Sequence, residues 1–155
     1  MQRLCLFLCI LLLSACATSN RTPEHDADAR TNEVALYAMS FADTPYRYGG
    51  NSRGNGFDCS GFVQHVYLNT LGVKLPRTSA EMSGEGKILG GGELHPGDLV
   101  FFNTRQRAFS HVGIYLGDDR FVHSPSSGGS IRVENMRQDY WRKRFDGARR
   151  ITLNR

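Results

Sequence analysis

An α+β domain, with helices first and an antiparallel sheet after them, is the fold class this chain predicts. Three observations carry it. Phe62, Val63, Val66, Tyr67 and Leu71 form a helix-period apolar stripe in the first half of the chain. Short apolar runs at Leu99–Phe102, His111–Leu116 and Arg120–Ser124 fall in the second half, the last two joined by Gly117-Asp118-Asp119, a strong hairpin signal. Helices grouped ahead of strands, rather than alternating with them, give α+β and not a parallel α/β sheet.

The chain begins with Arg3, a nearly unbroken apolar run from Leu4 to Leu13, and then Ser14-Ala15-Cys16. A basic start, a run too short to span a bilayer and small residues before a cut site predict a secretory signal over residues 1–15. Cys5 and Cys9 lie inside that run as small hydrophobes. Leu13-Ser14-Ala15-Cys16 resembles the lipobox of bacterial lipoproteins, which implies cleavage before Cys16 and acylation of its sulfur. The plainer alternative is an ordinary cleaved signal with an incidental Cys16. Ala17, in place of an aspartate, implies by the same resemblance an outer-membrane position facing the periplasm. Each buried methylene contributes about 0.8 kcal/mol, so two or more acyl chains hold a protein on a membrane stably. Residues 17–31 are small, polar and charged without an apolar period, and read as a flexible tether. The expected organisation is a signal over 1–15, a lipidated cysteine and tether over 16–32, and one domain over 33–155.

Within that domain Thr31 or Asn32 caps a first helix to Ala42, with Val34, Ala35, Met39 and Ala42 at helical spacing and Pro45 ending it. Tyr46 to Phe57 carries four glycines and reads as a tightly turning loop. Asp58 is a good N-cap for the helix that Gly72 stops, whose Gln64, His65 and Asn69 face outward. Leu75-Pro76-Arg77-Thr78-Ser79 opens a short second helix that runs into glycine-rich ground from Gly84 to Gly97. That ground is no phosphate loop, because Ile88 follows Gly86-Lys87 where Ser or Thr is needed. After the three strands named above, Ile131-Arg132-Val133 predicts a fourth. A basic aromatic segment around Tyr140-Trp141 precedes a last short strand near Ile151.

Composition narrows the function. Of the four cysteines, Cys59 alone lies outside both the leader and the lipidation position, so a disulfide or a cysteine-based zinc cluster within one mature chain is excluded. The net charge of +4 is uneven, with seven basic residues between Arg137 and Arg155 against Asp139 and Asp146. An exported chain seldom meets nucleic acid, so anionic envelope polymer or lipid headgroups are the expected partners of that end, unless it is merely a solvated surface. No cofactor or metal is expected, since no short pairing of zinc ligands occurs, and the chain is expected to act as a monomer.

Cys59 falls on the first turn after the Asp58 cap, where unpaired amides and the positive helix end can lower a thiol pKa from about 8.5. The same amides can hold the oxyanion of a tetrahedral intermediate, and Gly61 keeps the turn slim for a close neighbour. If Leu116 pairs with Arg120 across a three-residue loop, opposed residues share parity. His111, Gly113, Tyr115, Phe121 and His123 then project from one face, with His111 and His123 diagonal neighbours. A two-residue loop would separate them. The hairpin can therefore offer His111 to Cys59 as a base, with His123 behind it as orienting group or as a plain surface histidine. His25, His65 and His95 read as solvated.

Six ordered segments carry a resemblance over most of residues 33–155. They are Tyr46-Arg47-Tyr48-Gly49-Gly50, Asp58-Cys59-Ser60-Gly61-Phe62, Leu75-Pro76-Arg77-Thr78-Ser79, Gly97–Phe102, His111–Gly117 and Phe121-Val122-His123. In this order they resemble the NlpC-type cell-wall cysteine peptidases, and within them the small lipoprotein murein endopeptidases. The resemblance implies a papain-like fold and cleavage of peptidoglycan stem peptides, with Cys59 as nucleophile, His111 as base and His123 as third polar member. It implies further that Tyr46 lines the site and assists the oxyanion. The bond implied joins D-alanine to meso-diaminopimelate; the alternatives are the D-glutamate–diaminopimelate bond, or a murein-binding lipoprotein that cuts nothing. One departure is the loop from Gly50 to Asp58, a residue longer than in that type, which bears on the substrate groove.

Overall fold

A computed structural model describes residues 23–90 and 92–151, with side chains from Ala29 onward. The signal, Cys16 and the first part of the expected tether lie outside the described residues. Helix α1 spans Pro23–Met39. It starts eight residues ahead of Thr31, so the second half of the segment read as tether is helical. Proline, with its preset φ, is a favoured first helical residue, and the polar composition of this stretch hides the helix from a reading of apolar period. The face that packs is Val34, Ala35 and Ala38, continued by Phe41 in the turn after the helix, while Met39, expected inside, is 40% exposed.

The Tyr46–Phe57 loop contains a minimal antiparallel ladder, β1 (Asn51–Ser52) with β2 (Gly56–Phe57). Helix α2 (Cys59–Leu71) has the expected ends: the Asp58 carboxylate accepts from the Gly61 amide at 2.7 Å, and Gly72 closes it in the left-handed conformation. Helix α3 (Ser79–Met82) is one turn long, held by a capping box between Thr78 and Glu81. The rest is a six-stranded antiparallel sheet in the order β3-β8-β4-β5-β6-β7. Its strands are β3 (Lys87–Leu89), β4 (Leu99–Phe102), β5 (His111–Gly117), β6 (Arg120–His123), β7 (Arg132–Asn135) and β8 (Phe145–Arg150), with the one-turn helix α4 (Asp139–Arg142) before β8. Strand β3 lies in the stretch read as glycine-rich loop, and β8 is longer and earlier than the strand expected near Ile151.

Alternation along the strands makes two cores. Leu99, Phe101, Val112, Ile114 and Val122 pack toward α1 and α2, where Phe41, Phe57 and Phe62 meet edge to face. Such aromatic pairs add about 0.5–1.5 kcal/mol each beyond their buried area. His65, expected to face solvent, joins them, its ring 5.2 Å from Phe41 and 5.1 Å from Phe57. On the opposite face Val100, Phe102, Tyr115, Phe121 and Ala148 pack around Trp141 of α4.

Candidate active site

Three elements converge on Cys59. The first is the start of α2, where no Cβ is tolerated at Gly61 because it would stand 2.1 Å from the Gly50 carbonyl. That contact seats the glycine loop against the helix. The second is β5: the Cys59 sulfur lies within reach of the Val112 and Ser60 amides, and Val112 is the neighbour of His111. The third is Tyr46, fixed by its amide donating to the Gly129 carbonyl at 2.8 Å and by the Pro45–Ser130 bridge, so it hangs from the segment that follows His123.

His111 and His123 meet as diagonal neighbours, Nε2 of the first 2.8 Å from Nδ1 of the second, with both rings buried. Gly113 makes the space: a Cβ there would lie 2.7 Å from Phe121 and 2.9 Å from the Val122 carbonyl. Trp141 covers the pair, stacked on His111 at 5.8 Å and edge-on to His123 at 5.0 Å. The register differs near the turn from the expected one. Gly117, not Leu116, opposes Arg120, across the two residues Asp118 and Asp119, both at positive φ. Such a turn alone would part the histidines; a bulge between Tyr115 and Gly117 restores the pairing Tyr115↔Phe121 and Ile114↔Val122.

Electrostatics also depart from expectation in one respect. Burial, and then the Asp58 carboxylate, push the Cys59 thiol up from its ordinary value, against the pull of the Val112 and Ser60 amides and of Arg105. Desolvation thus outweighs the Ser60 amide at the start of the helix. Burial, aided by Arg105, pushes His111 down to about 3. Burial, His111 and Arg132 push His123 down to about 2. At neutral pH the resting site therefore holds a thiol and two uncharged imidazoles. Burial also raises the Tyr46 hydroxyl, which Arg105 touches from the Asn103–Phe109 loop.

Two features were not read from the sequence. Arg77 makes a bidentate pair with Asp58, at 3.0 and 2.6 Å, and donates to Ser60 Oγ at 2.9 Å. Only the need of a half-buried cap carboxylate for a cation could have signalled it. The other is a pair of grooves flanking the site. One of about 350 Å³ is lined by Tyr46, Cys59, Arg77, Arg105 and Arg107. The other, of about 480 Å³, is lined by His111, His123, Arg132, Glu134 and Tyr140.

A capped cysteine whose sulfur meets the amide of Val112, the residue after His111 of a buried histidine pair, fits a thiol-peptidase domain on an α+β scaffold, and comparison with known proteins agrees. The NlpC/P60 family matches residues 43–150, and the chain belongs to that family. Murein DD-endopeptidase MepS/Murein LD-carboxypeptidase of Escherichia coli K12 is 42% identical over 126 residues, covering 81% of this chain and 65% of that protein. Murein DD-endopeptidase MepH of the same organism is 42% identical over 110 residues, covering 69% of this chain and 41% of that protein. The chain thus spans less than two thirds of either relative. A Staphylococcus aureus structure described as similar to a lipoprotein of the NLP/P60 family is 32% identical, with a TM-score of 0.72 over 82% of this chain and 43% of that one. The α+β fold is that of these papain-like domains.

Proposed function

We propose that the chain is a cysteine peptidase that opens peptidoglycan cross-links, with Cys59 as nucleophile, His111 as base and His123 as the group that orients His111. The observation that supports it most is the buried 2.8 Å contact between the two imidazoles, on a strand whose next amide faces the Cys59 sulfur. With Nε2 of His111 engaged, Nδ1 is the nitrogen left for the thiol. As a substrate carbonyl approaches, Nδ1 takes the sulfur's proton, the sulfur bonds to carbon and the carbonyl electron pair moves to oxygen. The Tyr46 hydroxyl, kept protonated by its raised pKa, and amides at the start of α2 donate to that oxyanion. Collapse expels the amine, which takes the proton from His111. Water, giving its proton to the same nitrogen, then attacks the thioester carbon; collapse releases the acid, and the departing Cys59 sulfur takes that proton back from His111.

The bond proposed joins D-alanine to meso-diaminopimelate, in keeping with the names of the MepH and MepS relatives. A second reading, cleavage after D-glutamate, is favoured by a Gamma-DL-glutamyl hydrolase of Bacillus subtilis that is 36% identical over 128 residues. Defined muropeptides incubated with the full chain, and products weighed by mass spectrometry, separate the two. Equal digestion by Cys59→Ala, or none by the wild type, overturns the hydrolase reading. The proposal includes acylation at Cys16 and a monomer anchored at the outer membrane facing the periplasm. Incorporation of labelled palmitate by the wild type but not by Cys16→Ala checks the anchor, and fractionation of the envelope checks the membrane.

A further inference from the structure

The His123 ring is 0% exposed, yet its Nε2 has no hydrogen-bond partner among the described residues. What faces that nitrogen is a carboxylate oxygen, Glu134 Oε1, at 4.0 Å. Glu134 sits on β7, the strand paired with β6 so that His123 opposes Arg132. The same oxygen accepts from Arg132 Nε at 2.7 Å. We infer that Glu134 is a positioning residue that fixes the proton of His123 on Nε2, completing a line from Cys59 through His111 and His123. The inference rests on the roles proposed above for those three residues.

A neutral imidazole has one donor nitrogen and one acceptor. The single hydrogen between His111 Nε2 and His123 Nδ1 can belong to either ring, and the two choices have opposite consequences. If His123 donates from Nδ1, its Nε2 lone pair faces a carboxylate oxygen inside a buried site, where repulsion is poorly screened. His111 must then accept at Nε2 and hold its own proton on Nδ1, and cannot take one from the thiol. If His123 instead carries its proton on Nε2, that N–H points toward Glu134. His111 donates from Nε2, and its Nδ1 lone pair is free for the thiol. One carboxylate, through two rings, selects the form of His111 that can act as a base. At 4.0 Å this is orientation by a charge and not a hydrogen bond. Arg132 offsets the carboxylate's charge, so the buried ring is steered without being drawn into taking a second proton. His111 from β5 and Arg132 and Glu134 from β7 are the charged or titratable groups against His123; Tyr140 lines the same groove, and Arg105 faces His111.

The test is the tautomer of each ring, read by long-range 15N–1H NMR on the full chain with labelled histidine. Wild type should show His123 and His111 both protonated at Nε2. Glu134→Leu should move His123 toward the Nδ1–H form and lower kcat about tenfold or more at little changed KM. Glu134→Gln, nearly isosteric but uncharged, should shift the His123 tautomer in the same direction and lower kcat about threefold or more. An Nδ1–H His123 in the wild type overturns the inference even if no variant folds. So does an unchanged tautomer in either Glu134→Leu or Glu134→Gln. The NMR reading needs no turnover, so it is separate from failure of the peptidase reading, which shows as wild-type protein that digests no muropeptide.

Discussion

Acidification from pH 7 to pH 5 should destabilise this fold by about 4 kcal/mol, and His111 and His123 should be the reason. Burial holds their pKa values at about 3 and about 2, against 6.5 for an ordinary imidazole. Well above pH 6.5 neither the folded nor the unfolded chain binds protons there, and stability is full. Below it the unfolded chain protonates each ring while the folded chain does not, so stability falls with pH until the folded values are reached. Between pH 7 and pH 5 each ring accounts for about 2 kcal/mol of that loss. Two rings thus remove a large part of the 5–15 kcal/mol typical of a domain, roughly speaking. Histidine dominates this window, since carboxylates held low in the fold by hydrogen bonds, such as Glu81, Glu93 and Asp139, begin to cost stability only as pH nears the ordinary carboxylate pKa of about 4. His65, also lowered by burial, adds a lesser contribution of the same sign.

Urea unfolding at pH 7, 6 and 5 measures this, on wild type, His111→Gln and His123→Gln. Each variant should lose about half of the pH dependence, whatever its stability at pH 7. A preformed thiolate–imidazolium pair predicts otherwise, because a folded His111 already charged gives the unfolded state no proton advantage. A wild type that loses under about 1 kcal/mol, with the same slope in His111→Gln, would refute the neutral resting site.

Gly113→Ala sets a methyl 2.9 Å from the Val122 carbonyl and 3.3 Å from His123 Cβ. The variant should cost about 1–3 kcal/mol in thermal unfolding and lower turnover further by spreading the histidines; Gly54→Ala, with nothing within 4 Å, is the neutral control. Tyr46→Phe removes the oxyanion donor proposed above and should lower kcat on muropeptides roughly 10²-fold at little changed KM; unchanged kcat means the hydroxyl does not meet the oxyanion. Arg77→Ala leaves Asp58 unpaired beside Cys59. Discounted because Arg77 is 40% exposed, the loss should be about 1–2 kcal/mol, with slower alkylation of Cys59 at pH 8 as the second readout.

The parts of the site that are local in sequence are the parts legible there. The Asp58 cap, the apolar stripe and the Gly72 stop lie within one helix, and each acts on neighbours a few residues away. Contacts that cross the fold leave weaker marks. Arg77 reaches Asp58 across 19 positions and Glu134 reaches His123 across strands, and neither spacing has a period to betray it. Helix α1 begins early for a related reason: a short buried face is enough to hold a helix whose remaining residues are polar, so its start carries no apolar signal. Desolvation is the least legible quantity. A thiol at a helix start reads as acidic, and only the packing around it shows burial and Asp58 prevailing.

The hairpin shows how a correct inference can pass through a wrong intermediate. A three-residue loop gives the parity that joins His111 to His123, and the chain has a two-residue turn instead. Asp118 and Asp119 take positive φ, the conformation a type I′ turn needs, and Gly117 opposes Arg120. One bulged residue then shifts the ladder back by a single step before Tyr115. Turn and bulge together count as the three-residue loop would, because the face on which a strand residue projects depends only on parity. What selects this outcome is burial. In the unbulged register His123 would leave the face it shares with Phe102, Phe121 and Trp141, and an apolar neighbour, Val122, would leave the core beside Ile114. Two hydrophobic faces thus set the register, and the histidine pair that this register brings to 2.8 Å is its chemical consequence.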